Sequence, residues 1–412
     1  MKSSVWLPAL GLALGTATFA DAATITGTVK GPDGAPFRAA FVQARHTGMK
    51  MTVSVLSDND GRYVIESLPA GDYRLSVRAI GHKADPKEPK SPADLPYYKD
   101  TVLGFTDEAL KIVYVDYDMP GPTRFPWTAH PDKNGVFFTP EYGIANHFNR
   151  FDPKTGEMKE FPVPHSDPAL IHSAVPAPDG SVWLAEAGTR RLGRWDPATQ
   201  KVVEYQDDWR KHTIRVHPDG SIWSTGGLTR FDPKTEKFTH ITEVPSAYGI
   251  ALDQEGTVWF TEMNKTGTIG KVDPKTLKVT KYIPPSRDRP RRIQVDSDGM
   301  IWFAVFDDSK ITRFDPKAET FKEYPLPHTH SSPYALGIGL DRSLWYSSEA
   351  RDLIGRLDPV SGKVTEYPMP YADNGMRDFF LDKDGRVWYG TPPNNKIGYF
   401  YISNRQRNAA VQ

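Results

Sequence analysis

The chain has 412 residues and a formal net charge of zero, because 51 basic side chains balance 51 acidic ones. This balance gives no general attraction to nucleic acid or to an anionic membrane surface, so neither is predicted as a partner. The sequence contains no cysteine, which excludes disulfides, thiolate metal sites and c-type haem attachment. The length predicts two domains, or one large repeat domain with a small one, and we expect a monomer.

Residues 1–22 are predicted to be a secretory signal peptide. Lys2 supplies the positive start, residues 5–20 are mostly apolar, and Ala20-Asp21-Ala22 is a small-residue cleavage site. No later stretch is apolar enough to span a bilayer. We therefore expect a periplasmic or secreted protein.

Residues 23–83 are predicted to form a small β-sandwich. Short alternating stretches are separated by strong turns such as Gly31-Pro32-Asp33-Gly34 and Asp58-Asn59-Asp60-Gly61. The passage from Ser57 to Gly81 resembles the carboxypeptidase regulatory-like, transthyretin-type domain. The resemblance implies an accessory module without chemistry of its own. Residues 84–111 are rich in Pro, Lys and Asp, which predicts a linker.

A hairpin signature then recurs seven times, as a turn followed closely by an aromatic residue. The aromatic residues stand 45, 40, 36, 43, 43 and 43 positions apart, and they are Phe138, Trp183, Trp223, Trp259, Trp302, Trp345 and Trp388. A period of about 40–50 residues in β-rich sequence is typical of propeller blades of four strands each. The sequence predicts an all-β protein in which residues 112–405 form a seven-bladed β-propeller.

The last blade lacks a fourth strand, since the chain runs out after its third strand near residues 397–402. The missing strand is predicted at residues 112–120, because Val115-Asp116-Tyr117-Asp118-Met119-Pro120 resembles Thr365-Glu366-Tyr367-Pro368-Met369-Pro370. Such an N-terminal outer strand would close the ring and cover an exposed edge.

Candidate ligand-binding residues stand eleven positions before each aromatic residue, where the innermost strand begins. None of the seven is aliphatic: Trp127, His172, His212, Tyr248, Arg291, Tyr334 and Arg377. Equivalent positions in all blades should converge on one mouth of the central channel, which predicts a ligand site there. The structural alternative is that a wet channel tolerates polar residues without function.

The residue types suggest roles within this set. Arg291 and Arg377 favour a carboxylate or phosphate, with Trp127 and Tyr334 as further substrate-binding residues. His172 and His212 can exchange protons near neutral pH, and Tyr248 can act as an acid.

Three glutamates stand three positions after the aromatic residues and were expected to form a second ring at the axis. Glu141, Glu186 and Glu262 could hold Mg²⁺ or Ca²⁺, or could instead pair with the arginines of the first ring. His172 and Glu186 lie fourteen positions apart on adjacent strands. The spacing predicts a general base beside a carboxylate, which suits proton abstraction α to a carbonyl.

The repeat also resembles the streptogramin (virginiamycin) B lyase family, through phrases such as Val258-Trp259-Phe260-Thr261-Glu262 and Ile269-Gly270-Lys271-Val272-Asp273-Pro274. The resemblance implies a Mg²⁺-assisted lyase that opens a cyclic depsipeptide by β-elimination. It also implies an essential His and Glu at the fourteen-residue spacing in the last blade, with a second His one blade earlier. This chain has Arg377 and Thr391 in the last blade and Tyr334 and Ser348 in the preceding one. The matching pair occurs only in blade two, so streptogramin cleavage itself is not predicted.

Three functional hypotheses follow. The first is an exported lyase that acts on another ester- or carboxylate-bearing substrate, such as a small molecule or a uronate-containing glycan. The second is a non-catalytic ligand- or protein-binding propeller. The third is a lactonase-like hydrolase, although the Asn and Asp cation ligands usual in such propellers are missing from the aligned positions.

Overall fold

The structure is a computed structural model, and it describes residues 23–31, 33–79 and 105–403. The predicted signal peptide and residues 84–104 of the predicted linker lie outside the described residues. Across the described ranges, no helix is long and apolar enough to cross a membrane.

The N-terminal unit is a small sandwich of two sheets. Its strands are β1 (Ala23–Thr28), β2 (Ala40–His46), β3 (Met51–Leu56), β4 (Arg62–Leu68) and β5 (Tyr73–Ala79). One sheet pairs β1 with β4, and the other has the order β5-β2-β3. Val42, Val53 and Ile65 pack between the sheets in one buried cluster. This arrangement is the predicted sandwich.

The repeat folds into antiparallel blades whose strands follow chain order from the axis outward. After β6 (Ile112–Asp118), the strands of blades one to three are β7 (His130–Pro131), β8 (Phe137–Pro140), β9 (His147–Asp152), β10 (Glu157–Pro162), β11 (Ile171–Pro176), β12 (Val182–Glu186), β13 (Arg191–Asp196), β14 (Lys201–Gln206), β15 (Ile214–Val216), β16 (Ile222–Ser224), β17 (Thr229–Asp232) and β18 (Lys237–His240). Those of blades four to six are β19 (Ala247–Leu252), β20 (Val258–Glu262), β21 (Ile269–Val272), β22 (Val279–Tyr282), β23 (Pro290–Val295), β24 (Ile301–Val305), β25 (Lys310–Asp315), β26 (Thr320–Pro325), β27 (Pro333–Ile338), β28 (Leu344–Ser348), β29 (Leu353–Leu357) and β30 (Val364–Pro368). Blade seven contributes β31 (Phe380–Leu381), β32 (Val387–Thr391) and β33 (Lys396–Ile402).

The repeated signature forms the turn between the first and second strands of each blade. In blade four, Asp253 Oδ1 accepts backbone N–H bonds from Glu255 and Thr257, while its Oδ2 accepts the indole N–H of Trp259 at 3.0 Å. Gly256 occupies a left-handed conformation at φ 84°, which favours glycine. The same bond from the indole N–H to a turn aspartate recurs in blades five and seven, where Asp296 and Asp382 accept from Trp302 and Trp388.

Strand β6 closes the ring as predicted. It pairs antiparallel with β33 from Asp118 opposite Lys396 to Ile112 opposite Ile402, and so becomes the outer strand of blade seven. The all-β fold, a small sandwich followed by a propeller closed by an N-terminal outer strand, is confirmed.

The other edge of β6 is also paired, which the sequence did not predict. Strand β3 of the sandwich runs antiparallel to it, with Met51 opposite Tyr117 and Ser54 opposite Tyr114. The sandwich and blade seven therefore share one seven-stranded sheet. The final part of the predicted linker is packed rather than loose, since Phe105 and Leu110 are buried in a core cluster with Phe41 of the sandwich.

Candidate functional site

The seven residues that begin the innermost strands lie in one closed ring at a channel mouth. The ring centroids of Trp127 and His172 are 5.3 Å apart, those of His172 and His212 are 3.5 Å apart, and those of His212 and Tyr248 are 4.5 Å apart. The circuit continues through the two arginines. Arg291 lies over Tyr248 and Tyr334 at 5.1 and 5.0 Å, and Arg377 lies over Tyr334 and Trp127 at 4.6 and 5.3 Å.

Backbone irregularities turn several of these side chains toward the axis. The pairing of the first and second strands shifts register between Ile171 and Ser173, and the same shift recurs in blades four, five and six. The shifted positions include His172, Tyr248, Arg291 and Tyr334. A bulge at the end of a strand commonly re-aims a side chain in this way.

In blades three and four, a hydroxyl group at the end of the second strand fixes the ring to the neighbouring blade. Thr225 Oγ1 donates to the carbonyl of Tyr248 at 2.8 Å, and Thr261 Oγ1 donates to that of Arg291 at 2.6 Å. Because each bond crosses from one blade to the next, the ring backbone is held from both sides.

The charge at the mouth is mainly positive. Arg377 Nη1 lies 2.6 Å from Glu349 Oε1, and burial raises the pKa of Glu349 although Arg377 and Arg291 oppose that shift. Beneath the ring, buried Arg292 donates to the Arg377 carbonyl at 2.7 Å and to Thr213 Oγ1 at 2.6 Å. Arg292 therefore crosses the channel and forms a floor under the mouth.

The two histidines are neutral bases enclosed by aromatic rings. Burial holds the pKa of both His172 and His212 well below its usual value, and neighbouring charges, His212 beside His172 and Arg292 beside His212, add to this effect. His212 Nδ1 lies 2.9 Å from Thr213 Oγ1, whereas both ring nitrogens of His172 have no hydrogen-bond partner among the described residues. His172 is only 2 % exposed and His212 is 8 % exposed.

The predicted second ring of Glu141, Glu186 and Glu262 is wrong, because these side chains do not reach the axis. Each lies toward the outer strand of its own blade. Glu262 Oε2 accepts bonds from Lys281 Nζ at 2.9 Å and from Thr268 at 2.5 Å. Arg124 Nε lies 3.4 Å from Glu141 Oε2, and the nearest partner of Glu186 is Thr189, at 3.1 Å.

Strand alternation explains the error. Glu186 follows Val182 and Leu184 on the face of β12 that packs against blade one, and side chains two apart on a strand share a face. The ring of His172 contacts Trp127, Tyr142 and His212, whereas Glu186 accepts a hydrogen bond from Thr189. The predicted pairing of a base with this carboxylate is not formed.

The inner positions are the next residues along the chain, four after each aromatic residue. Tyr142 stacks on Trp127 at 4.5 Å, Phe306 lies 4.4 Å from the Arg291 guanidinium carbon, and Met263 also contacts Arg291. Glu349, the partner of Arg377, occupies the same position in blade six. A count of four rather than three from the aromatic residue would have found these side chains.

The mouth does not fit a carboxylate-bound cation. Glu349, which reaches the ring, is engaged by Arg377, and the guanidinium groups of Arg291 and Arg377 would repel Mg²⁺. Arg377 and Thr391 also stand where the family's His and Glu were expected. We therefore assign no metal ion to the mouth.

A cavity of 1120 Å³ opens at the opposite end of the channel. His130, Arg215 and Asp378 line its floor, with small or apolar residues such as Val175 and Gly337 between them. The ring mouth is the stronger candidate although the cavity is large, because aromatic and charged side chains from all seven blades meet only at the ring.

Comparisons with known proteins agree with this architecture. The profile of the virginiamycin B lyase family matches residues 233–407, and that of the carboxypeptidase regulatory-like domain matches residues 24–91. The resemblance to both families is confirmed. None of the curated proteins compared matches the chain.

Solved structures show the same fold. A streptogramin B lyase aligns with a TM-score of 0.66 and 23% identity, covering 72% of this chain and 100% of that one. Virginiamycin B lyase from Staphylococcus aureus aligns with a TM-score of 0.64 and 22% identity, covering 70% and 98%. The extracellular domain of a putative one-component system from B. thetaiotaomicron aligns with a TM-score of 0.53 and 15% identity, covering 86% and 52%. At these identities the likeness shows the fold, while activity depends on the site.

Proposed function

We propose that the propeller mouth binds a ligand carrying a carboxylate or an ester, and that the protein is an exported carbon–oxygen lyase acting on it by β-elimination. The observation that supports this proposal is the position of two guanidinium groups, Arg291 and Arg377, beside a pair of neutral histidines. The lyase relatives and the extracellular neighbour agree with the reaction class and with export.

Binding follows from the exposed members of the ring. Trp127, Tyr248, Arg291 and Arg377 are partly exposed and form the accessible surface of the mouth. Guanidinium groups bind carboxylates with two parallel hydrogen bonds, and the flat face of Trp127 suits a sugar or aromatic ring. A uronate-containing glycan has both features.

The chemistry follows from the protonation states. A neutral imidazole can accept the proton α to the carbonyl, and His212 is the more exposed of the pair. Arg291 and Arg377 would stabilise the enolate that forms. The bond from the β-carbon to the leaving oxygen then breaks, a carbon–carbon double bond forms, and Tyr248 donates a proton to the departing oxygen.

A specific observation favours the second candidate, a non-catalytic binding protein. His172, which contacts Trp127 and Tyr142, is 2 % exposed and His212 is 8 % exposed, so neither imidazole is open to a ligand at the mouth in this conformation. Saturable binding without turnover would then be the whole function.

The test uses an oligogalacturonate with the full chain, following binding by calorimetry and the unsaturated product by near-ultraviolet absorbance. We expect His212→Ala to abolish product formation while binding stays within about threefold, and Arg291→Gln to weaken binding at least about tenfold, since it removes a charge-assisted contact. Binding without product in the wild type would select the binding protein. A hydrolysed product would contradict the elimination, and binding unchanged in Arg291→Gln would contradict the proposed site.

A further inference from the structure

Three potential metal ligands meet in blade two, away from the mouth. His165 lies in the loop that leads into β11, Glu186 ends β12, and Glu204 lies in β14. One ligand atom from each residue lies within 4.8 Å of the others. No other such group of three His, Asp or Glu side chains was found in the described part of the chain.

Each residue of the cluster has a buried atom with no hydrogen-bond partner among the described residues. These atoms are His165 Nε2, Glu186 Oε1 and Glu204 Oε1. Glu186 is fully buried, with a relative exposure of 0 %. An unpartnered buried carboxylate oxygen is costly, so a cation or a proton is expected at this point.

The remaining carboxylate oxygens have protein contacts that orient both glutamates. Thr189 Oγ1 donates to Glu186 Oε2 at 3.1 Å, and Arg191 Nε lies 3.8 Å from Glu204 Oε2. Both Oε1 atoms are thereby left for the shared centre. Gly193 provides the space, because a Cβ atom there would lie 2.7 Å from Glu186 Oε1. Such outer contacts are typical of groups that hold metal ligands in place.

In blade one, the equivalent pair of glutamates lies beside an arginine. Glu141 and Glu160 occupy the places of Glu186 and Glu204, since Asn149 and Gly193 pair equivalently with the strands on either side. There Arg124 Nε lies 2.6 Å from Glu160 Oε1 and 3.4 Å from Glu141 Oε2. Blade two has an imidazole where blade one has a guanidinium.

We propose that His165, Glu186 and Glu204 bind a divalent transition metal ion, Zn²⁺ or Mn²⁺. One imidazole and two carboxylates suit these ions better than Ca²⁺ or Mg²⁺, which prefer all-oxygen sites. Ligand atoms around such an ion at about 2.0–2.2 Å are at most about 4.4 Å apart, so a small movement of the partly exposed His165 loop completes the site. Water takes the remaining positions.

Coordination through His165 Nε2 places the imidazole proton on Nδ1. That nitrogen now accepts the exposed Asp167 N–H at 3.1 Å, a bond that water replaces when the metal binds. The ion would tie the loop before β11 to β12 and β14. It therefore supports the strand that carries His172 and takes no part in chemistry at the mouth.

The competing explanation is a shared proton. Burial, together with the neighbouring Glu204, raises the pKa of Glu186 to about 8. In a metal-free chain the two carboxyl groups would therefore share one proton at neutral pH. Metal binding must displace that proton. A direct measurement of metal binding therefore distinguishes a metal site from a shared proton.

The test titrates the chelator-treated full chain with Zn²⁺ and with Mn²⁺ by calorimetry, and records the visible absorption of bound Co²⁺. We expect one ion per chain, with affinity lower by at least about 100-fold in His165→Ala and in Glu204→Gln, since loss of a ligand exceeds the loss of an outer contact. Glu160→Gln in blade one is the matched control and should bind as the wild type does. Circular dichroism checks that each variant is folded.

Two results would overturn the proposal. A folded wild type that binds no ion saturably would show that the carboxyl groups share a proton instead. One ion per chain with unchanged affinity and unchanged Co²⁺ absorption in both variants would place the ion elsewhere.

Discussion

Blades one and two carry equivalent pairs of glutamates, one buried and one partly exposed, beside different basic side chains. In blade one Arg124 lies beside Glu141 and Glu160, so the cation is part of the chain. In blade two the imidazole of His165 lies beside the pair instead, and in both blades the buried glutamate keeps an oxygen with no hydrogen-bond partner among the described residues. A carboxylate pair between blades needs a positive charge or a proton, and neighbouring repeats of one propeller can supply it by different means.

The largest effect is expected from removal of the cation in blade one. Arg124→Met leaves Glu160 and Glu141 buried without a positive partner, and breaking such pairs costs about 3–5 kcal/mol when the charge stays buried. Because the Arg124 and Glu160 side chains are 20 % and 24 % exposed, we expect a loss of about 2–4 kcal/mol, measured by urea unfolding.

Arg191→Met in blade two is the matched control for that substitution. Its guanidinium lies 3.8 Å from Glu204 and is partly exposed, so its loss should change the free energy of unfolding by less than about 1 kcal/mol. Equal losses in the two variants would show that Arg124 has no special role beside its glutamates.

A second effect concerns how the free energy of unfolding depends on pH through Glu141 in blade one. Burial and the nearby Glu160 raise the pKa of Glu141 to about 8, against the opposing effect of Arg124. A folded-state pKa above the unfolded value near 4.5 means that the native state holds more protons between these pH values. The stabilisation is therefore complete below about pH 4.5 and is lost as the pH rises through about 8.

Glu141→Gln removes this titration. The unfolding free energy of the wild type minus that of the variant should fall by about 3 kcal/mol between pH 5 and pH 8, because each unit of pKa shift contributes about 1.4 kcal/mol and about two and a half units are expressed over this range. Urea unfolding at several pH values measures it. A difference that stays flat over this range would show that Glu141 is ionised throughout.

The fold could be predicted from the sequence because its signals are local and repeated. A turn aspartate and an aromatic residue recur in each blade, and the likeness of residues 115–120 to residues 365–370 identified the closing strand. The pairing of β3 with β6 could not be predicted, since backbone hydrogen bonds between distant strands leave little trace in side-chain pattern.

The site was predicted only in part, because the sequence pattern does not fix which residues of the first and second strands face the channel. The positions at the start of each innermost strand converge, although bulges there make simple alternation unreliable. A one-residue offset at the second strand placed Glu186 on the axis and selected Ser348 instead of Glu349 in blade six, because neighbouring residues of a strand face opposite ways. His165 belongs to a loop and Glu204 to an outer strand, so no single repeat position links either to Glu186.

The smallest effect is expected from a substitution beside Glu186 in blade two. Thr189 donates to the oxygen of Glu186 that faces away from the shared centre, so it orients the carboxylate without touching the proposed ion. Thr189→Val keeps the shape of the side chain and removes the hydroxyl. We expect Zn²⁺ binding to weaken about tenfold, as loss of an outer contact commonly does, while the unfolding free energy of the metal-free chain changes by about 1 kcal/mol or less. Calorimetry and urea unfolding of the same preparation measure both quantities. A loss of stability with unaltered Zn²⁺ affinity would mean that Thr189 supports only the blade and does not orient Glu186 toward the ion.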